Sequence, residues 1–165
     1  MATRLGSMLL SVAAMSACLP AFAHGDGADA RHATSAAAKP EQTRFGIAGD
    51  RAKATRTIVI DMADTMRFEP TEVVVRRNET VRFVVRNRGA AMHEMVIGTP
   101  EDLTEHAALM KRFPDMEHDA PHMAHVKPGA TREIVWRFNR AGTFQFACLA
   151  PGHFEAGMVG RVVVR

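Results

Sequence analysis

Phe144-Gln145-Phe146-Ala147-Cys148-Leu149-Ala150-Pro151-Gly152-His153-Phe154-Glu155-Ala156-Gly157-Met158-Val159-Gly160 is the stretch that decides how this chain folds. It sets a thiol, an imidazole and a thioether along one loop between two β-type runs, Thr143 to Cys148 and Met158 to Val164. Side chains alternate between the two faces of a strand. Cys148 shares the parity of Phe144 and Phe146, so its sulfur is expected to point inward. Met158 shares the parity of Val162 and Val164, which turns its thioether the same way. Upstream, Met92 to Gly98 forms a third run in which His93 shares parity with Met95 and Ile97. Parity discriminates less well there, because Met92 and Val96 make the other face apolar as well.

Each residue alone has a plain explanation: a histidine on an apolar strand is usually a satisfied core residue, and a buried cysteine usually a small hydrophobe. Their combination points elsewhere. A soft thiolate, two imidazoles and a weak thioether form a donor set that suits copper in both oxidation states, with little rearrangement when an electron arrives. The expected ligands of one copper ion are His93, Cys148, His153 and Met158.

Working outward, further β-type runs span Thr57 to Met62, Glu72 to Arg77, Thr80 to Asn87 and Thr131 to Phe138. Turn signals separate them at Glu69-Pro70, Arg77-Asn78, Asn87-Arg88-Gly89, Pro128-Gly129 and Arg140-Ala141-Gly142. Seven short strands so punctuated predict an all-β sandwich over residues 55–165. An insertion at about 99–127 interrupts the pattern. Thr99-Pro100-Glu101-Asp102 has the marks of a helix start, and Leu103, Ala107 and Met110 follow at helical spacing. That short helix should run to near Arg112 and stop at Phe113-Pro114, leaving Asp115 to Lys127 as irregular loop.

Residues 24–54 carry few large apolar side chains and are expected to form a flexible arm. Residues 1–23 read as a cleaved signal peptide: a basic start at Arg4, an apolar stretch from Met8 to Ala17, and Ala21-Phe22-Ala23 before the cut. The stretch is too short to span a bilayer, and no later one is long enough. Export to the periplasm, with no integral membrane segment, is therefore expected. A second reading of the leader takes Met15-Ser16-Ala17-Cys18 as a lipobox, with Cys18 acylated and retained. Cleavage after Ala23 removes Arg4 and lowers the formal charge of +3 by one, too mild a balance to suggest nucleic acid. It also leaves Cys148 as the one thiol in an oxidising compartment, either buried and inert or occupied by metal.

The spacing of His93 and Cys148-x4-His153-x4-Met158 resembles the type 1 copper site of the cupredoxin family, and the Pro-Gly-His loop is closest to its rusticyanin and auracyanin branch. Asn87 to Met95 resembles the segment that carries the first histidine there. From about Met66 to Arg165 the chain is similar to small periplasmic cupredoxins associated with copper tolerance, which include an insertion like Pro100 to Lys127. The resemblance implies a Greek-key sandwich with copper near one end, a trigonal core of His93, Cys148 and His153, and Met158 as axial ligand. Glu94 departs from it, standing where several cupredoxins carry an amide or small residue. Dinuclear copper centres are excluded, because the position of a second cysteine is Gly152. Coupling to a catalytic copper is excluded as well, because Ala147 and Leu149 flank Cys148 where histidine would be needed. No serine elbow or phosphate loop is present, so no enzymatic role is expected.

Met116, His118, His122, Met123 and His125 cluster in the insertion, offering either a second copper site or a polar loop with two core methionines. Cleavage after Ala23 would also place His24, a possible chelator, at the N-terminus, with His32 further along the arm. Ala90, Ala91, Met92, Pro151, Phe154 and Ala156 are implied to surround the edge of His153 as an apolar docking patch for transient partners. Two functions follow from these residues: an electron carrier between periplasmic redox proteins, or a copper-handling protein that sequesters or delivers the ion.

Overall fold

The computed structural model describes residues 40–113 and 118–165. Its strands are β1 (Gln42–Thr43), β2 (Gly46–Ala48), β3 (Arg56–Ala63), β4 (Arg67–Glu69), β5 (Glu72–Val75), β6 (Thr80–Asn87), β7 (His93–Gly98), β8 (Met123–Val126), β9 (Thr131–Arg137), β10 (Gly142–Ala147) and β11 (Val159–Val164). One helix, α1 (Pro100–Arg112), lies between β7 and β8. The seven strands expected from the sequence are β3, β5, β6, β7, β9, β10 and β11.

They build two sheets, ordered β1-β2-β9-β6-β3-β4 and β5-β11-β10-β7-β8. The pairs β3–β6 and β11–β5 are parallel and the others antiparallel. Alternation drives the packing: in β6, Val81, Phe83 and Val85 are fully buried, while Arg82, Val84 and Arg86 are only partly covered. The inner faces meet in one core that includes Ile60, Met62, Phe68, Phe83, Trp136 and Phe146. Phe68 of one sheet meets Phe146 of the other edge-on at 5.0 Å. Each such side chain contributes about 1.5–3 kcal/mol by leaving water.

The insertion covers the outside of the second sheet. Thr99 caps α1 in a reciprocal box with Asp102, Pro100 occupies the first turn, and the Phe113 N–H closes onto the Leu109 carbonyl. Leu103 and Met110 pack on Val96, Met123, Ala147 and Leu149, which explains why both faces of Met92 to Gly98 read as apolar.

Three expectations need correction. Residues 40–54 are not arm: β1 and β2 add to the first sheet, and Arg51–Lys53 forms a 3-10 turn. Their anchor is Phe45, stacked on Trp136 at 5.3 Å, with its carbonyl accepting the Trp136 indole N–H at 3.2 Å. One aromatic ring outweighs the polar composition averaged around it. Residues 115–127 are not all irregular, since Met123–Val126 is β8 and covers the edge of β7. Its alternation is hidden because Met123, Ala124 and Val126 are all buried, between the core and α1. The short strand β4, paired with β3, was not foreseen. The leader, Cys18 and residues 24–39 with His24 and His32 lie outside the described residues.

Candidate metal centre

β7 opens on His93 and β10 runs directly into Cys148, so the antiparallel pairing of these strands brings a histidine and a thiol to one end of the sandwich. The loop between β10 and β11 returns His153 to the same place through tight local hydrogen bonds. The His153 N–H reaches the Ala150 carbonyl at 3.0 Å, the Met158 N–H reaches the His153 carbonyl at 3.0 Å, and the Cys148 N–H reaches the Met158 carbonyl at 3.1 Å. Gly152 and Gly157 turn this loop at φ of 86° and 81°, backbone that side chains resist.

The outcome is a compact donor set. The ligating atoms of His93, Cys148 and His153 all lie within 4.8 Å of one another. The Nδ1 atoms of the two imidazoles are 3.2 Å apart, and Cys148 Sγ is 3.3 Å from His153 Nδ1. Nitrogen donors about 2 Å from a shared ion stand about 3.3–3.6 Å apart, so the two rings need little movement to share one. His93 and Cys148 are fully buried and His153 is half-buried. Met158 is fully buried in the same core cluster as Cys148, and its backbone pairs with that residue.

The surroundings prepare these atoms for a cation. Asp64, just past β3, accepts N–H bonds from Ala90 and Ala91 at 2.7 and 3.2 Å, and these bonds with His93 hold its carboxyl below the usual range. Its Oδ1 is 3.0 Å from His93 Nε2. A carboxylate can only accept, so Nε2 carries the proton and Nδ1 turns its lone pair to the site. Asn87 fixes the same loop, donating to the Ala91 and Val126 carbonyls at 2.8 Å each. Burial, with His93 beside it, pushes the His153 imidazole below its ordinary value, keeping it a neutral donor. Burial pushes the Cys148 thiol up to about 11, against backbone N–H bonds from Glu94 and Ala150. A thiolate this deeply placed is uncompensated without a positive partner, and a soft cation is the partner the donor set fits.

Glu94 extends the site sideways. It is almost fully buried, accepting the Leu149 N–H at 2.8 Å and facing His125 Nδ1 at 3.0 Å. Burial raises its carboxyl, with His125 opposing. His125 Nε2 in turn is 3.0 Å from the His118 carbonyl, and the Nε2 atoms of His118 and His106 are 2.7 Å apart.

The secondary cluster expected in the insertion is thus only partly assembled. His118 and His125 come together, but with His106 of α1, which the sequence reading missed. Helical spacing could have found it, three residues after the buried Leu103. His122 turns away and packs edge-on against Phe45 and Trp136. Met123 is buried in the core beneath α1, and Met116 lies outside the described residues. Asp64 was missed too, and no local motif marks it. Of the expected apolar patch, Met92 is 49% exposed, Pro151 and Ala156 are exposed, and Phe154 is half-buried against the α1 cluster.

Comparison with known proteins agrees with this geometry. The family model for copper binding proteins of the plastocyanin/azurin family matches residues 54–165. The copper-resistant cuproprotein CopI of Rubrivivax gelatinosus is 52% identical over 95% of this chain and 94% of its own length. The protein of that name from Vibrio cholerae is 36% identical over 69% of this chain and 68% of its own. Among solved structures, dithionite-reduced auracyanin from the photosynthetic bacterium Roseiflexus castenholzii shares the fold. Its TM-score is 0.59 at 23% identity, over 68% of this chain and 98% of that one. Two converging imidazoles, a buried thiol and a matching family model lead to one conclusion: this chain belongs to the plastocyanin/azurin family of copper-binding proteins, and copper is its cofactor.

Proposed function

We propose that this chain is a periplasmic one-electron carrier that works in copper tolerance. His93, Cys148 and His153 hold the ion, with Met158 as the fourth, weaker donor. The observation that carries this reading is the convergence of three ligating atoms within 4.8 Å from the start of β7 and the β10–β11 loop, two segments far apart in sequence. Bound copper supplies a one-electron couple. The chain's own residues keep the site rigid and dry: Asp64 fixes the tautomer of His93, the Glu94 N–H donates to Cys148 Sγ at 3.4 Å, and the packed core excludes water. His153, the half-exposed donor, is the route by which electrons reach the surface. Met92, Pro151 and Ala156 around it give a small apolar contact suited to brief docking. The names of its relatives support the link to copper tolerance. Export rests on the leader sequence, and no described helix is long and apolar enough to cross a membrane. We assign no catalytic turnover to the chain itself.

A second reading, copper sequestration or delivery, is favoured by the approach of His106, His118 and His125 to Glu94, which touches the loop of Cys148. One measurement tests the ligands both readings share, and a second separates the readings. The copper-loaded protein is expected to show an intense copper-thiolate band that disappears in Cys148→Ala; persistence of the band sinks the ligand assignment. Copper stoichiometry is then compared with that of a variant carrying His106→Ala, His118→Ala and His125→Ala. One copper per chain in both leaves the carrier, whereas a drop from two to one favours sequestration.

A further inference from the structure

The end of the sandwich opposite the donors has its own chemistry. β3, β6 and β10 start there, and β5, β9 and β11 end there. Arg56, Arg76, Arg77, Arg137, Arg140 and Arg165 all fall on these strand ends and turns, and all six are exposed. Within segments 54–56, 75–80, 137–142 and 164–165, the one side-chain carboxylate is Glu79. It is already engaged, 3.0 Å from Arg56 Nε and accepting the Arg76 N–H at 2.7 Å.

The arginines stand on a backbone that is already fixed. The Asn78 N–H meets the Phe138 carbonyl at 2.7 Å, the Phe138 N–H meets the Glu79 carbonyl at 2.9 Å, and the Arg77 N–H meets the Arg165 carbonyl at 2.6 Å. The turns and the last strand therefore move as one platform. Beside it runs a cleft of about 830 Å³, lined by Arg56, Val74, Arg76, Arg77, Asn78 and Arg165 among others.

We propose that this arginine-rich pole docks on an anionic phospholipid membrane surface. Six arginines against one side-chain carboxylate, Glu79, leave the pole net positive over a whole end of the molecule, which matches a continuous sheet of phosphates. The guanidinium fork suits phosphate oxygens. Val74, 42% exposed, is the one large apolar side chain exposed in the cleft, too little for the buried apolar centre of a stable protein partner. Docked this way, the chain holds its copper end away from the lipid and open to the aqueous side. This inference does not rest on the proposed function, and it stands or falls separately.

The test is flotation of the copper-loaded protein with phosphatidylethanolamine vesicles containing about 30% phosphatidylglycerol, against phosphatidylcholine vesicles, at low salt. Binding is expected to the anionic vesicles alone. Combining Arg76→Gln, Arg77→Gln and Arg140→Gln should weaken it on the order of a hundredfold. The same charge loss placed elsewhere, by Arg112→Gln, Lys127→Gln and Arg132→Gln, should change it less than about threefold. An intact copper-thiolate band certifies the fold of both variants. If the pole variant loses that band, Arg140→Glu alone replaces it, a change of two charge units with a loss of about thirtyfold expected. Equal binding to both vesicle types, or equal loss in the pole and control variants, overturns the proposal. So does release from the vesicles by inorganic phosphate at constant ionic strength, which would mark a discrete oxyanion site instead.

Discussion

At the scale of single residues, the donors are only half of the centre, and the groups that aim and charge them are the other half. Asp64 is half-exposed and contributes little to the core, yet it holds the proton on the far nitrogen of His93. Asp64→Ala is therefore expected to lower copper affinity about 10–100-fold, measured by competition with a chelator, while the unfolding midpoint of the metal-free protein moves little. Cys148 gives a pH signature. Its folded-state value, raised to about 11 from an ordinary 9.0, means that the native metal-free state keeps a proton that the unfolded chain releases first. The thiol's effect on stability should be absent below pH 9, and stability should fall as the pH climbs from there through about 11. Thermal melts of the metal-free protein across that window test this, and the fall specific to the thiol should be absent in Cys148→Ala.

At the scale of elements, β10 and β11 were legible because their side chains alternate between faces, and β7, buried on both, because the turn at Asn87-Arg88-Gly89 sets it off from β6. The ligands Cys148 and His153 were legible because thiol and imidazole share one short loop with the Met158 thioether. What escaped the sequence did so for physical reasons. β4 is three residues long, too short to show alternation. β8 is buried on both sides, so its period vanishes into an apolar run broken by His125. The pair β1–β2 is held by contacts across the chain, with Phe45 on Trp136 and β2 beside β9, which no local pattern encodes. His106 and Asp64 likewise gain their roles from distant partners. If Phe45 is the anchor, Phe45→Ala should cost about 3 kcal/mol in denaturant unfolding and leave the copper-thiolate band unchanged. A loss below about 0.5 kcal/mol would show that β1 and β2 hold without it.

At the scale of the whole molecule, His93 and Cys148 belong to strand ends of one sheet, whereas Asp64 reaches His93 from the other. The metal site therefore straddles the seam of the sandwich, with its donors on one side and an orienting carboxylate on the other. Any sideways slip of the sheets, whether from hydrostatic pressure or a cavity cut into the shared core, would rotate an imidazole that the chromophore senses directly. The colour of the loaded protein should thus act as an optical strain gauge for the interior, shifting before the strands themselves come apart.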